Sequence, residues 1–238
     1  MKASILKKSL ISMIDSKIPV FVWGNPGVGK SSIIKQIAND KNMEFIDLRL
    51  SLLDPTDLRG IPFFDSANKS AIWAKPEFLP NSNSQAFGIL FLDEINSAPP
   101  TVQAAAYQLI LDRKIGEYTL PMNYAIVAAG NYESDRGVTY RMPTPLANRF
   151  VHLDFELDFE EWKSWAYESK IDTRIISFLS YKPQNLFTFD AKAKEKSFAT
   201  PRSWSFVNDI LNSNLQIEFL KDVISGAVGK DSSDEFMN

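Results

Sequence analysis

Apolar side chains follow two rhythms along this chain, and each change of rhythm marks an element. Near the start, Leu6, Leu10 and Ile14 recur every fourth residue, the spacing of an amphipathic helix. Short apolar runs follow at Val20–Trp23, Phe45–Leu50, Ile89–Leu92, Tyr124–Ala129 and Phe150–Phe155, and each reads as a buried strand. Between them lie helical patterns at Ser31–Asn39, with Ile33, Ile34 and Ile37, and at Thr101–Asp112, with Val102, Ala106, Leu109 and Ile110. Strands that alternate with helices predict a parallel sheet covered on both faces. Two stretches interrupt the alternation. "RGIPFFDSANKSAIWAKPEFLPNSNS" reads as an inserted hairpin or long loop, and "RKIGEYTLPMN" as a second hairpin before the strand at Tyr124. Beyond residue 156 the strand rhythm fades. Asp158 with Glu161 three positions on is a helix-start pattern, and further helices are predicted at Thr173–Tyr181, Arg202–Asn212 and Ile217–Val223.

Composition narrows the classes without choosing among them. A chain of 238 residues with 45% apolar content has enough material for one large domain, or a large and a small one. The net charge of -3 leaves no basic footprint for nucleic acid. With no cysteine, disulfides, thiolate zinc sites and cysteine nucleophiles are excluded. No apolar run reaches the roughly 20 residues of a membrane span. The N-terminal stretch is broken by Lys7, Lys8, Asp15 and Lys17, which makes a poor signal peptide, so a cytoplasmic protein is expected.

The chemistry is concentrated at the ends of the predicted strands. After Val20–Trp23 comes "GNPGVGKS", which fills G-x-x-x-x-G-K-[ST] with Gly24, Gly29, Lys30 and Ser31. Such a loop turns its backbone N–H groups inward at a phosphate chain, and the helix that follows adds the positive end of its dipole. Gly24, Asn25, Pro26, Gly27, Val28, Gly29, Lys30, Ser31 and Ser32 are the candidate nucleotide-binding residues, with Lys30 on the β- and γ-phosphates. By average residue frequencies the pattern arises by chance in roughly one chain in a hundred of this length. The run "ILFLDEIN" ends a buried strand in two carboxylates. Asp93, with Ser31, fits a Mg²⁺ site, and Glu94 fits a base for an attacking water. Taken alone, this pair is equally an ordinary polar strand end. "DLRG" at Asp57–Gly60 imitates a GTPase loop, but it follows no buried strand and no guanine-reading N-K-x-D is present.

At this point the chain resembles AAA+ ATPases, specifically the MoxR family, from Ile5 to about Val228. The likeness rests on "GNPGVGKS", "LFLDEINSAPPTVQAAAYQLILDRKIGEYTLP", "VAAGN", "RMPTPLANRF" and "ATPRSW", in that order and spacing. It implies a P-loop NTPase fold: an αβα core with a five-stranded parallel sheet over residues 1–156, then a small all-helical lid over 157–238, with ATP bound between them. It implies ATP hydrolysis that remodels or activates a protein client, often one with a von Willebrand factor A-type domain. It also implies a homo-oligomer, of the hexameric ring type. Nucleic acid is not the expected partner. A nucleotide-gated binding module with little turnover and a nucleic-acid motor remain as alternatives.

The resemblance also assigns roles. Asn131 matches the family's sensor of the lytic water, although an Asn that ends a strand also suits a plain turn. Arg149 matches the arginine finger given to a neighbouring subunit, with Arg136 and Arg141 as rivals. Arg202 matches the lid sensor. It follows Thr200, a cap, and Pro201, a first helical residue, so its charge opposes the helix dipole. His152 reads as structural, and Trp162 and Trp165 as packing of the lid. Phe63, Phe64 and Trp73 read as either core of the insert or a partner surface.

Overall fold

In the computed structural model all residues are described except 136–139, 141 and 194. In chain order the elements are α1 (Ala3–Asp15), β1 (Val20–Trp23), α2 (Lys30–Asp40), β2 (Glu44–Arg49), α3 (Pro55–Arg59), β3 (Ile61–Asp65) and β4 (Ser70–Ala74). Then come β5 (Gly88–Asp93), α4 (Pro100–Asp112), β6 (Lys114–Ile115), β7 (Tyr118–Thr119), β8 (Tyr124–Gly130), α5 (Thr144–Ala147) and β9 (Val151–Asp154). The chain closes with α6 (Phe159–Glu168), α7 (Thr173–Tyr181), α8 (Pro201–Leu211), α9 (Ile217–Val228) and α10 (Lys230–Met237).

The five predicted strands pair in the order β2-β5-β8-β1-β9, all parallel. Alternate residues of each strand serve opposite faces, as a sheet covered on both sides requires. Leu90 and Leu92 pack with Val102, Ala106 and Leu109 of α4, while Ile89 and Phe91 pack with Leu6 and Leu10 of α1 and Ile34 and Ile37 of α2. Leu6, Leu10 and Ile14 are all fully buried, so the rhythm at the start of the chain is the buried stripe of α1. Both interruptions are hairpins, β3–β4 and β6–β7, and neither joins the main sheet.

From α6 onward the helices enclose a core of their own around Trp162, Ile175, Leu179, Trp204, Val207 and Ile224. Asp158 caps α6 by accepting from the Glu161 N–H at 3.1 Å. The Glu161 carboxylate does not complete the capping box. It accepts instead from the Ser4 N–H at 2.9 Å and the Ser4 hydroxyl, tying α6 to α1. Trp165 departs from the expected packing: it is 38% exposed, and Trp162 alone of the pair enters the core. Helix α10 has no apolar period to announce it. It is held by Phe236, which meets Phe178 and Trp204 edge-on.

Candidate functional site

Three strand ends stand side by side, because β8 lies between β5 and β1 in the sheet. Each leads into one of the sequence-predicted segments: β1 into Gly24, β5 into Glu94 and β8 into Asn131. The loop after β1 turns with positive φ at Gly27 (76°) and Gly29 (103°), backbone that L side chains rarely adopt. Gly29 is the N-cap of α2 and supplies no side-chain cap, so the first N–H groups of that helix are left for an anion.

Lys30 runs back under the loop. Its Nζ donates to the carbonyl oxygens of Gly24 at 2.6 Å and Asn25 at 2.9 Å, and to Asn131 Oδ1 at 2.9 Å. The last bond joins the β1 loop to the end of β8, residues 101 positions apart. Burial lowers the Lys30 pKa to about 8, against the opposing pull of Asp93 and Asp135. Beside it, the Ser31 hydroxyl donates to Asp93 Oδ2 at 3.3 Å. Asp93 is buried, and burial together with the Glu94 and Asp47 charges raises its pKa. A buried carboxylate next to a hydroxyl, with its charge disfavoured, suits a cation that would stabilise the ionised form. Among the described residues no group of three or more His, Asp or Glu side chains could hold a metal alone.

Glu94 sits at φ 55° and ψ 33°, a left-handed conformation unusual for a side-chain-bearing residue. Its carboxylate accepts from the Ser51 hydroxyl at 2.5 Å. Ser51 was not among the predicted site residues, since it lies in a short 3-10 turn after β2 and belongs to no motif. Asn96 was missed too: its side-chain amide donates to the Asn131 carbonyl at 2.7 Å.

The helical part reaches this site through the N-terminus of α8. Thr200 caps the helix in a reciprocal pair with Ser203. The Arg202 N–H donates to Gly27 O at 3.2 Å, and a Cβ at Gly27 would stand 2.8 Å from Thr200 Oγ1. Arg202 is exposed, its main-chain bond to Gly27 sets it beside the phosphate loop, and its charge adds to the lowering of the Lys30 pKa. Arg149 is elsewhere. It precedes β9, whose first residue Val151 is level with Val20 at the start of β1. Four strand residues separate that level from the phosphate loop, about 13 Å. Arg149 is therefore at the opposite end of the strands from Lys30. Arg136 and Arg141 lie outside the described residues.

Beside the loop, a cavity of about 540 Å³ is walled by Asn25, Val28, Tyr132, Phe155, Leu157 and Leu186, between the sheet and the helical part. Tyr132 stacks on Trp23 (6.2 Å, 12°). His152 is structural, as expected: Nδ1 accepts from Trp23 Nε1 at 2.9 Å, which leaves Nε2 to donate to Ala147 O at 2.8 Å. Asp57 of "DLRG" is also structural, forming a capping box with Asp54 at the start of α3.

The family model of the ATPase family associated with various cellular activities (AAA) matches residues 19–152. Chaperone MoxR1 of Mycobacterium tuberculosis is 28% identical over 152 residues, covering 62% of this chain and 38% of that protein. The replication factor C large subunit of Ignicoccus hospitalis is 30% identical over 107 residues, covering 45% and 20%. The chain thus spans well under half the length of these two relatives. In fold it is similar to the Thermotoga maritima RuvB Holliday junction branch migration motor (TM-score 0.52, 21% identity, covering 98% of this chain and 68% of that one). It is similar also to a Cytophaga hutchinsonii protein assigned as a candidate ATPase (TM-score 0.51, 16% identity, 94% and 80%). From the match over β1 to β9 and the site that those strands build, the chain belongs to the ATPase family associated with various cellular activities, and within it is MoxR-like.

Proposed function

We propose that the chain binds ATP with Mg²⁺ and hydrolyses it, and that it does so as an oligomer acting on a protein client. The observation that carries the reading is the Lys30–Asn131 bond beside the Ser31–Asp93 pair. Four residues that bear on phosphate, cation and water converge from three strand ends, in a loop geometry made for an anion. The division proposed is a nucleotide-holding core over residues 1–156 and a lid over 157–238, with the base in the cavity beside Tyr132.

In this reading the uncapped N-terminus of α2 and Lys30 hold the phosphates. Ser31 and Asp93 hold Mg²⁺, which when bound neutralises charge on the terminal phosphates. Glu94 takes the proton of the attacking water, for which it must leave Ser51, and Asn131 orients that water. Arg202 contacts the terminal phosphate from the lid side. Arg149, too far down the sheet to reach its own Lys30, serves the site of a neighbouring subunit in a ring. Phe63, Phe64, Ile72 and Trp73 of the β3–β4 hairpin are 58%, 76%, 46% and 37% exposed, which favours the partner-surface reading over core. A client such as a von Willebrand factor A-domain protein would be met there.

Glu94→Gln tests the reaction. The amide keeps the shape and the Ser51 contact but cannot accept a proton, so ATP binding persists while steady-state phosphate release falls by about 100-fold or more. Undiminished release in this variant would remove Glu94 as the base. A wild-type protein that binds ATP and releases no phosphate would point to a nucleotide-gated module instead.

A further inference from the structure

Asn96 lies two residues past Glu94 and is 2% exposed. Its side-chain Nδ2 donates to Asn131 O at 2.7 Å, and its main-chain carbonyl accepts from the Tyr140 N–H at 2.7 Å. One residue therefore bonds the main chain at both Asn131 and Tyr140. The orientation of the amide is set, because turning it over would bring two oxygens together at Asn131 O. Its Oδ1 is buried and finds no partner among the described residues. The neighbouring strand makes room for it: a Cβ at Gly130 would stand 2.2 Å from Oδ1, so that seat requires glycine. A buried carbonyl oxygen without a donor among the described residues is a cost that an apolar residue of the same size would avoid. What the chain gains is a fixed main chain at Asn131, whose side chain then meets Lys30 from the other direction.

We propose that Asn96 is a positioning residue for hydrolysis: through the Asn131 carbonyl and the glycine seat, it sets where Asn131 presents its amide beside the terminal phosphate. This rests on the hydrolytic reading of the site. The role needs a short side chain with an N–H donor. Asp of the same size offers none when ionised, Ser falls short, and Gln overfills the seat. The Asn96 bonds run to Asn131 O and from the Tyr140 N–H, neither of them a group proposed to hold phosphate, so its removal is expected to affect the rate of the step and not the grip on ATP.

The test compares wild type with Asn96→Ala and with Asn96→Asp, the second covering the case in which the first does not fold. Turnover is read as kcat and KM for ATP with Mg²⁺. The Asn131 side-chain NH₂ signals are read by ¹⁵N NMR with a non-hydrolysable ATP analogue bound. The expected result is a kcat lowered at least about 10-fold, with KM and analogue affinity within about 3-fold, together with shifted or broadened Asn131 signals. Unchanged kcat or unchanged Asn131 signals would overturn the proposal. So would a loss of analogue affinity in step with a lowered melting temperature, which is the mark of a merely structural residue. If the wild type itself shows no turnover, the hydrolytic reading fails, and the Asn131 signals still decide whether Asn96 positions that side chain.

Discussion

Lys30 keeps only 8% of its surface exposed while carrying the charge that a phosphate chain needs. Two carbonyls and one amide oxygen stabilise the ammonium, yet burial still dominates and its pKa falls from 10.5 to about 8. In the free protein the unfolded chain holds the proton more tightly, so the Lys30 contribution to stability improves as pH rises from about 8 to about 10.5. Bound ATP supplies negative charge and raises the pKa again. Near pH 8.5, where free Lys30 is largely neutral, ATP binding should take up a proton, whereas near pH 6.5 Lys30 contributes no uptake. Calorimetry in buffers of different ionisation enthalpy measures this directly. A binding heat independent of buffer at pH 8.5 would contradict it.

Among the elements after β9, the helices α6, α7 and α8 start at side-chain caps. Asp172 caps α7 by accepting from the Arg174 N–H at 2.8 Å, and its carboxylate also pairs with the Arg174 guanidinium at 2.7 Å. The Arg174 side chain, ahead of the backbone bond, holds the Asp172 pKa below its ordinary value. Its stabilisation is therefore complete above the ordinary carboxylate range and is lost as pH falls through the lowered pKa. Asp172→Ala should cost about 1 kcal/mol at neutral pH. The deficit should narrow as pH drops below about 4, where wild type loses the same contribution. Urea melts at pH 7 and pH 3 give the two values, and an equal deficit at both would refute the assignment. The caps at Asp158 and Thr200 were legible in the sequence because a cap is a local pattern. The Glu161–Ser4 bond, between residues 157 positions apart, was not.

At the scale of the whole molecule, the proposed role of Arg149 calls for a second copy. Arg149 and Lys30 lie at opposite ends of the strands. Mixing Arg149→Ala subunits with Lys30→Ala subunits should restore part of the turnover that each lacks alone, because a mixed interface pairs an intact phosphate loop with an intact Arg149. Recovery is measured as phosphate release against mixing ratio. An Arg149→Ala protein with full activity would eliminate the finger. The exposed β3–β4 hairpin lies outside the main sheet, so a change there need not unpair a core strand.

The local patterns of the sequence by themselves determined the two rhythms, the five strands, the helix starts and the phosphate loop, because each depends on neighbours within a few residues. They also placed Asp93, Glu94 and Asn131 at strand ends. Only the tertiary structure decided the sheet order β2-β5-β8-β1-β9, which brings those ends together. It alone showed Ser51 against Glu94 and Asn96 against Asn131, pairs 43 and 35 positions apart. It sent Trp165 to solvent and drew α10 into the helical core through Phe236. The reason is common to all of these. Hydrophobic period and turn chemistry act along the chain, whereas hydrogen bonds and packing across the sheet act between segments that no local pattern relates.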